Sequence, residues 1–401
     1  MGLFIKKDNK ILEIKQKRFR REKMKVCLKC VLKCTLLLVV LVILVVIGYV
    51  LYVCVDYNRI EDNVKLSVNK ASSEEAEKKI QTDEGKVPVG QELGITSYNI
   101  GFGAYSHDFS FFMDGGKYSR AIDKEHVLDN TEGAINTILY QNADFAFFQE
   151  VDTDSTRSYH VNQLEMIQDA FANFESVHAI NYHSAYLFYP IIEPHGKSNA
   201  GISTFSKYRI DSSLRRSFPV PTGFPDKFFD LDRCYSISRI PTNVDGKELV
   251  LFNVHMSAYT DDDSIRTNQV KMLVDDMKKE YEAGNYVVCG GDFNHDMIGN
   301  SDEVFGNKPG DYSWTTPFPE ELIPEEFTIG LKTLNDEQLK EIVATCRNTD
   351  KTYKRGENEV WIVDTFIVSD NVEIINYENI DADFKYSDHN PVKMKFKLLS
   401  E

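Results

Sequence analysis

The chain predicts an α/β fold, with two packed β-sheets covered by helices and a single transmembrane helix in front of them. Three features of its 401 residues point there: one long stretch without charge, a series of short apolar β-branched runs, and helical periodicity between those runs. With 42% hydrophobic and 12% aromatic residues, 12 Pro and 22 Gly, the composition is globular and excludes collagenous or low-complexity architecture. Seven Cys are too few to build a fold from disulfides.

Charge divides the chain. Residues 1–34 carry twelve Lys or Arg and three Asp or Glu, a net +9, so the formal −16 of the whole leaves −25 on the remainder. Between the two, Thr35 to Val55 offers 21 uncharged positions. As a helix this stretch spans about 31 Å, matching the hydrocarbon core of a bilayer. A cleaved signal peptide has a shorter basic lead and small residues at its end. Here Tyr49, Tyr52 and Val53 stand in that place, so an uncleaved signal anchor is expected. Lys15, Lys17, Arg18, Arg20, Arg21, Lys23 and Lys25 precede the span, and the first charge after it is Asp56. The positive-inside rule then puts the N-terminus in the cytoplasm and the body outside, at the cell membrane. Cys27, Cys30 and Cys34 would lie at the inner face; acylation is one reading, and no special role is the commoner one. Residues 56–92 are polar, lack Trp and Phe, and suggest a stalk before a domain at 93–401.

From Gly94 onward GITSYNI, DFAFFQEV, SAYLFY, GISTFS, YSISRI, ELVLFNVHM, YVVCGGDF, VWIVDTFIV and VKMKFKL read as strands. Several are continuously apolar, which is the pattern of strands buried on both faces. Helical periodicity shows at Asp129 to Gln141, Val161 to Phe171, Ser264 to Glu282 and Asn335 to Val343. No repeat of 20–50 residues interrupts this alternation.

Groups able to hold a metal or move a proton recur at the strand ends. In order they are Asn99 in SYNIGFG, Glu150 in FFQEVD, His255 in NVHMSAY, Asp292 and Asn294 in GGDFNHD, Asp364 in WIVDTFIVSD, and Asp388 with His389 in YSDHNPV. An unpaired charge at a buried strand end is costly, so this many strand ends of one kind favour a shared site. His295, Asp296, Asp152 and Asp154 lie beside these motifs and read as solvated loop charge. Cys234, Cys289 and Cys346 read as buried thiols.

QE, the NVH strand, GGDFNHD and a terminal SDHNPV, in this order and with NAGISTFSKYRI between, resemble the endonuclease/exonuclease/phosphatase superfamily over about residues 93–399. That superfamily includes deoxyribonuclease-I-like nucleases, neutral sphingomyelinases and inositol polyphosphate 5-phosphatases. The resemblance implies a four-layer α/β sandwich and a Mg²⁺ or Mn²⁺ ion, with Glu150, Asn99 and Asp388 as ligands. Oxygen donors of this kind suit such an ion. It implies His389 as the base for a water attacking phosphorus, oriented by Asp364, with Asp292 and Asn294 positioning water and phosphoryl oxygens. His255 would stabilise or protonate the phosphate. Asp364 rests on the weakest match, because Thr365 stands where relatives carry a bulky aromatic or His.

The reaction type is better specified than the substrate. A polyanion needs a basic groove, and −25 on the body disfavours nucleic acid relative to a phospholipid or small phosphoester. Local basic candidates are Lys207, Arg209, Arg215 and Arg216, and Arg347, Lys351, Lys354 and Arg355. Aromatic loops from Tyr98 to Tyr118 and from Phe218 to Phe229 could meet a bilayer, an acyl chain or a base, or plug the core. An extracellular nuclease and a catalytically idle surface binding module remain as alternatives, and no obligate protein partner is implied.

Overall fold

The computed structural model describes residues 2–221, 223, 231–258, 263–308 and 315–400, and for residues 2–9, 263 and 336 the backbone alone. Two compact units result, Met1–Asn58 and Arg59–Glu401. The first is one helix, α1 (Gly2–Asp56), whose apolar part is long enough to cross a membrane.

In the second unit the chain runs through β1 (Val64–Lys65), α2 (Glu74–Ile80), β2 (Glu92–Asn99), α3 (Lys124–Leu139), β3 (Phe145–Asp152), α4 (Gln163–Ala170), β4 (Glu175–His183), β5 (Asn199–Ser206), β6 (Ser212–Ser217) and β7 (Cys234–Pro241). It continues through β8 (Glu248–His255), α5 (Asp263–Glu282), β9 (Tyr286–Asp292), α6 (Ser301–Phe305), β10 (Phe327–Ile329), α7 (Asp336–Lys340), β11 (Cys346–Arg347), β12 (Val360–Trp361), β13 (Asp364–Ser369), β14 (Val372–Asn379) and β15 (Val392–Leu398). One sheet has the order β1-β6-β7-β8-β9-β13-β10, the other β14-β15-β2-β3-β5-β4, and β11-β12 form a two-stranded ribbon. Two parallel pairs, β2/β3 and β8/β9, are each joined by a crossover helix, α3 and α5.

Period-two alternation builds the layers. Leu93, Ile95, Phe145 and Phe147 point into the apolar cluster shared with β8 and β9, which continues to Val270, Leu273 and Met277 of α5. Their neighbours Tyr98, Ala146 and Phe148 face the other way, against Ala134, Ile135 and Ile138 of α3 and Ile167 of α4. Helices, sheet, sheet and helix therefore stack in four layers, as expected.

Two expectations change, and one of the readings left open for the aromatic loops is found. The polar segment after the span is not a free stalk from Arg59 onward. Val64–Lys65 pair with β6, Asn69 bridges Ser176, Lys70 meets buried Glu175 at 2.8 Å, and Val87 is fully buried. SAYLFY forms no strand but leads into the β4–β5 loop. Phe102, Tyr105 and Phe109 of the first aromatic loop plug a core cluster; of the second, Phe218 is buried, while residues 222 and 224–230 lie outside the described residues.

Candidate active site

The inward-facing row of β2 runs Leu93, Ile95, Ser97, Asn99, so the alternation that buries the first two carries Asn99 to the cleft between the sheets. Asn99 Nδ2 donates to Asp292 Oδ2 at 3.0 Å, lies 3.4 Å from Glu150 Oε1 and is 3.4 Å from His389 Nε2. Its Oδ1 accepts from the Gly101 N–H at 3.0 Å. In this orientation the amide offers the cleft its N–H, and ligation of a cation by Oδ1 requires the amide to turn over.

Register brings the other strand ends to the same place. His255 stands beside Asp292 across the parallel β8/β9 pair, and Asp364 opposes Asp292 across β9/β13. Asp364 Oδ2 accepts from His389 Nδ1 at 2.8 Å, while Asp292 Oδ2 lies 3.8 Å from His389 Nε2 and 3.5 Å from His255 Nε2. Asp292 Oδ1 accepts the Asn294 N–H at 2.8 Å, and Asn294 Nδ2 donates to Met256 O at 2.8 Å. Beneath the cleft Gln149 donates to Asn253 Oδ1 and Asn253 donates to Ser203 O, which ties the two sheets together.

Glu150 needs a special backbone. Strict alternation would send it to the helix side with Phe148. A register shift between Phe148 and Val151, with Glu150 at φ +54°, turns its carboxylate toward Asn99 and His255 instead. Asp388 is held by the Ser387 hydroxyl at 3.2 Å, and Ser387 in turn donates to Asn99 O. Gly101, at φ +51°, leaves room for it: a Cβ there would lie 2.8 Å from Asp388 Oδ1. Of the eight residues singled out in the sequence, Asn99, Glu150, His255, Asp292, Asp364 and His389 form one chain of contacts within 4 Å. Asp388 lies within electrostatic reach of Glu150 and His389, and Asn294 joins through its N–H on Asp292.

Burial is the largest influence on ionisation in the cleft. Burial pushes Asp292 up to about 7, with the Asp364 charge adding to the rise against the opposing pull of His389 and two hydrogen bonds. Burial likewise lifts Asp388 to about 6, and the charge of Glu150 contributes. Burial, with Arg233, His389 and Arg157, holds His255 well below its ordinary value and therefore neutral. With Asn181 Nδ2 donating to its Nδ1 at 3.2 Å, its proton sits on Nε2, facing Glu150 and Asp292. Burial opposes charge on His389 too, but Cys346 and Asp364 outweigh it and hold the ring well above the usual value. Asp364 is the physical cause: the buried Cys346 thiol, itself pushed up to about 12, is uncharged near neutrality.

A divalent cation fits these donors. Asp292, Asp364 and His389 present ligand atoms within 4.8 Å of one another, Asp364 Oδ1 has no hydrogen-bond partner among the described residues, and the charge of Glu150 raises the cost of ionising Asp388.

Two arginines escaped the sequence reading. Arg157 lies 4.0 Å over the Phe102 ring and forks onto Asp152 at 3.1 and 2.8 Å. Asp152 is therefore a buried partner and not solvated loop charge. His295 and Asp296 are also buried, on Phe293 O and on Ser301; only Asp154 is exposed, against His160. Arg233 is buried just before β7, close enough for its charge to act on His255, and its Nε and Nη1 have no hydrogen-bond partner among the described residues. A lone Arg before a strand carries no signal of this in the sequence. The basic residues that were visible are mostly engaged within the fold. Arg215 binds backbone carbonyls of Ile180, Glu61 and Asp232, Arg216 pairs with Asp62 and Asp276, Arg347 binds Tyr105 O and Ser106 O, and Arg355 pairs with Asp381 and Asp383. Cys234, Cys289 and Cys346 are free and buried, as expected.

Solved structures share the fold. An endonuclease/exonuclease/phosphatase from Beutenbergia cavernae aligns with a TM-score of 0.52 at 14% identity, over 77% of this chain and 72% of its own. D. rerio TDP2, complexed with a single-strand DNA product, gives 0.50 at 14% over 77% and 99%. ANGEL2, a 2',3'-cyclic phosphatase in complex with adenosine-2',3'-vanadate, gives 0.50 at 13% over 84% and 99%. No curated protein matches the chain in sequence. The Endonuclease/Exonuclease/phosphatase family matches residues 96–389, from just before Asn99 through His389. The chain belongs to that family of phosphoester hydrolases.

Proposed function

We propose that the chain is a membrane-anchored, divalent-metal-dependent phosphodiester hydrolase whose site faces away from the cytoplasm and takes a phospholipid or small phosphoester. The carrying observation is the His389–Asp364 pair, 2.8 Å apart, set opposite Asp292 in a cleft that also holds Glu150, Asn99 and Asp388. Asp364 keeps a proton on Nδ1, and in the neutral ring Nε2 is left to take a proton from water; a cation bound among the neighbouring carboxylates would lower the ring's raised pKa and favour that neutral form. Asp292 and Asn294 position that water, and neutral His255 offers Nε2–H to a phosphoryl oxygen. Arg233 supplies a desolvated cation with free N–H groups for a second oxygen. Glu150, Asp388 and a turned Asn99 would hold Mg²⁺ or Mn²⁺, which would neutralise charge developing on the phosphoryl oxygens.

Internal pairing of the visible basic residues, on a body of charge −25, supports a small or lipid substrate over a polyanion. Incubation of the reconstituted chain with sphingomyelin, glycerophospholipids, inositol phosphates and plasmid DNA, with and without chelator, tests the reading. Turnover of a phospholipid or small ester, lost with chelator and in His389→Ala, is expected. Plasmid cleavage alone would move the chain to the nucleases, and no turnover above His389→Ala across metals would make it a binding module.

A further inference from the structure

The β4–β5 loop carries an apolar tip that the hydrolytic cleft does not use. Phe188 is 57% exposed, Tyr189 70%, Ile191 87% and Ile192 99%, and Met113 from the neighbouring loop is 70% exposed. The rings of Phe112 and Tyr189, 5.8 Å apart, join the two loops into one patch. The loop beneath the tip is fixed by polar contacts. His195 Nδ1 donates to Ser119 O at 2.6 Å, Arg120 meets Glu193 at 3.2 Å, Ser119 donates to Glu193 O, and Leu187 bridges Gly196. Apolar residues presented together on a fixed base are unusual on a surface that meets only water, where single exposed apolar residues are the norm.

The position of the tip says what covers it. Asn199, where the loop rejoins β5, pairs with His183, and Ala200 pairs with Asp152, two residues beyond Glu150. The loop therefore leaves the sheet edge that carries the cleft. The chain enters the unit at the same edge: Arg59 donates to Phe218 O, Ser217 donates to Ile60 O and to Asp62, Ser217 pairs with Cys234, and Cys234 pairs with His255. Only Tyr57 and Asn58 separate α1 from Arg59, so at most about 11 Å of extended chain joins Asp56 to Arg59.

We propose that the Phe188–Ile192 tip, with Met113, docks into the lipid surface that α1 spans, so that the cleft draws its substrate from the leaflet. This rests on the membrane-anchored reading above. The catalytic edge is the one at which the chain from the span enters the unit, and aliphatic residues flanked by Tyr and Phe suit the boundary of headgroups and acyl chains.

Full-length chain carrying Ile192→Trp is reconstituted in vesicles containing bromine-labelled phosphatidylcholine. Val244→Trp, in the β7–β8 turn at the opposite sheet end, is the control. Ile192→Trp is expected to emit at shorter wavelength and to lose about half of its added emission to the bromines, with Val244→Trp unquenched. Equal, unquenched emission from both overturns the proposal. A blue shift that needs high protein concentration and no bromine quenching also overturns it, and assigns the patch to a second copy of the chain. The double variant Ile191→Asp, Ile192→Asp is expected to lose about tenfold in turnover of vesicle phospholipid while retaining turnover of a water-soluble phosphodiester. Equal loss on both substrates overturns the proposal. If the parent turns over neither substrate, the hydrolase reading fails, and bromine quenching still decides the docking.

Discussion

Replacing Asp364 by Asn keeps the volume of a fully buried side chain and removes one charge, and it should reduce kcat by about 10²–10⁴, the share usually carried by a positioned acid or base. The magnitude follows from the contact. A charge-assisted hydrogen bond of 2.8 Å from His389 Nδ1 becomes a neutral one at best. Asp364 Oδ1 has no hydrogen-bond partner among the described residues, so none of these fixes which end of the new amide faces the ring. With the amide oxygen toward Nδ1 the tautomer survives and only the charge is lost, near the 10² limit. With the NH₂ group toward Nδ1 the ring proton moves to Nε2, no lone pair faces the water, and the loss approaches 10⁴, about 5.4 kcal/mol. Asp292 cannot account for either outcome, because the Asp364 charge raises its pKa and removal leaves it easier to ionise. The assay is single-substrate kinetics on a soluble phosphodiester at saturating Mg²⁺, with thermal unfolding as a control for folding. A kcat within about threefold of the parent, at unchanged KM, would refute the base assignment.

Four further outcomes follow from the same geometry. Mg²⁺ or Mn²⁺ should raise the Tm of the parent and leave that of Glu150→Gln nearly unchanged, with activity lost in the variant; equal shifts in both would remove Glu150 from the ligand set. Arg233→Met should leave Tm unchanged or higher, because a buried guanidinium whose Nε and Nη1 have no hydrogen-bond partner among the described residues is costly, yet lower kcat/KM by about 10- to 100-fold through loss of a charge-assisted contact. A fall in Tm without loss of activity would make Arg233 structural. Burial pushes His195 and His295 each down to about 4. Both rings are neutral when folded and bind protons near 6.5 when unfolded, so stability should fall as pH drops from about 6.5 to 4, by about 3 kcal/mol per ring; a Tm flat over that window contradicts their neutral burial. Val87→Ala, in the segment whose composition suggests a stalk, should cost about 2 kcal/mol, measured by denaturant unfolding; no loss would mean the segment is detached.

The sheets were legible where both faces of a strand are apolar, as in β8 and β9, because burial on both sides leaves a run that nothing else explains. β4 was not legible. Its sequence ESVHAINYH buries Glu175, which is satisfied by Lys70 and by the Ile210 N–H, and half-buries His178, which bonds Ser203, so its polar residues disguise the last strand of the sheet. SAYLFY erred in the other direction: aromatic and aliphatic residues in sequence look the same whether they fill a core or stand in solvent. Residues 59–92 looked like a stalk because a few anchors, Val87 and the pairing of Val64–Lys65 above all, hold a mostly polar segment in place.

The candidate site was read more fully than the fold around it, and for a physical reason. A carboxylate, imidazole or amide at the end of an apolar strand is a local contradiction that sequence displays. A buried Arg in a polar loop is not, which is why Arg233 stayed hidden until its orphaned N–H groups were seen. The bulge that turns Glu150 inward is likewise invisible, since it depends on register across β3/β5. Convergence itself has a cost. Glu150, Asp292, Asp364 and Asp388 meet in one cleft, Asp292 pushed up to about 7 by burial and the charge of Asp364, and Asp388 to about 6 by burial and the charge of Glu150. A cation bound among them would remove that penalty only in the folded state. Binding of such a cation and fold stability would therefore be linked, and on the proposed hydrolase reading the ion should be the largest single ligand effect on unfolding.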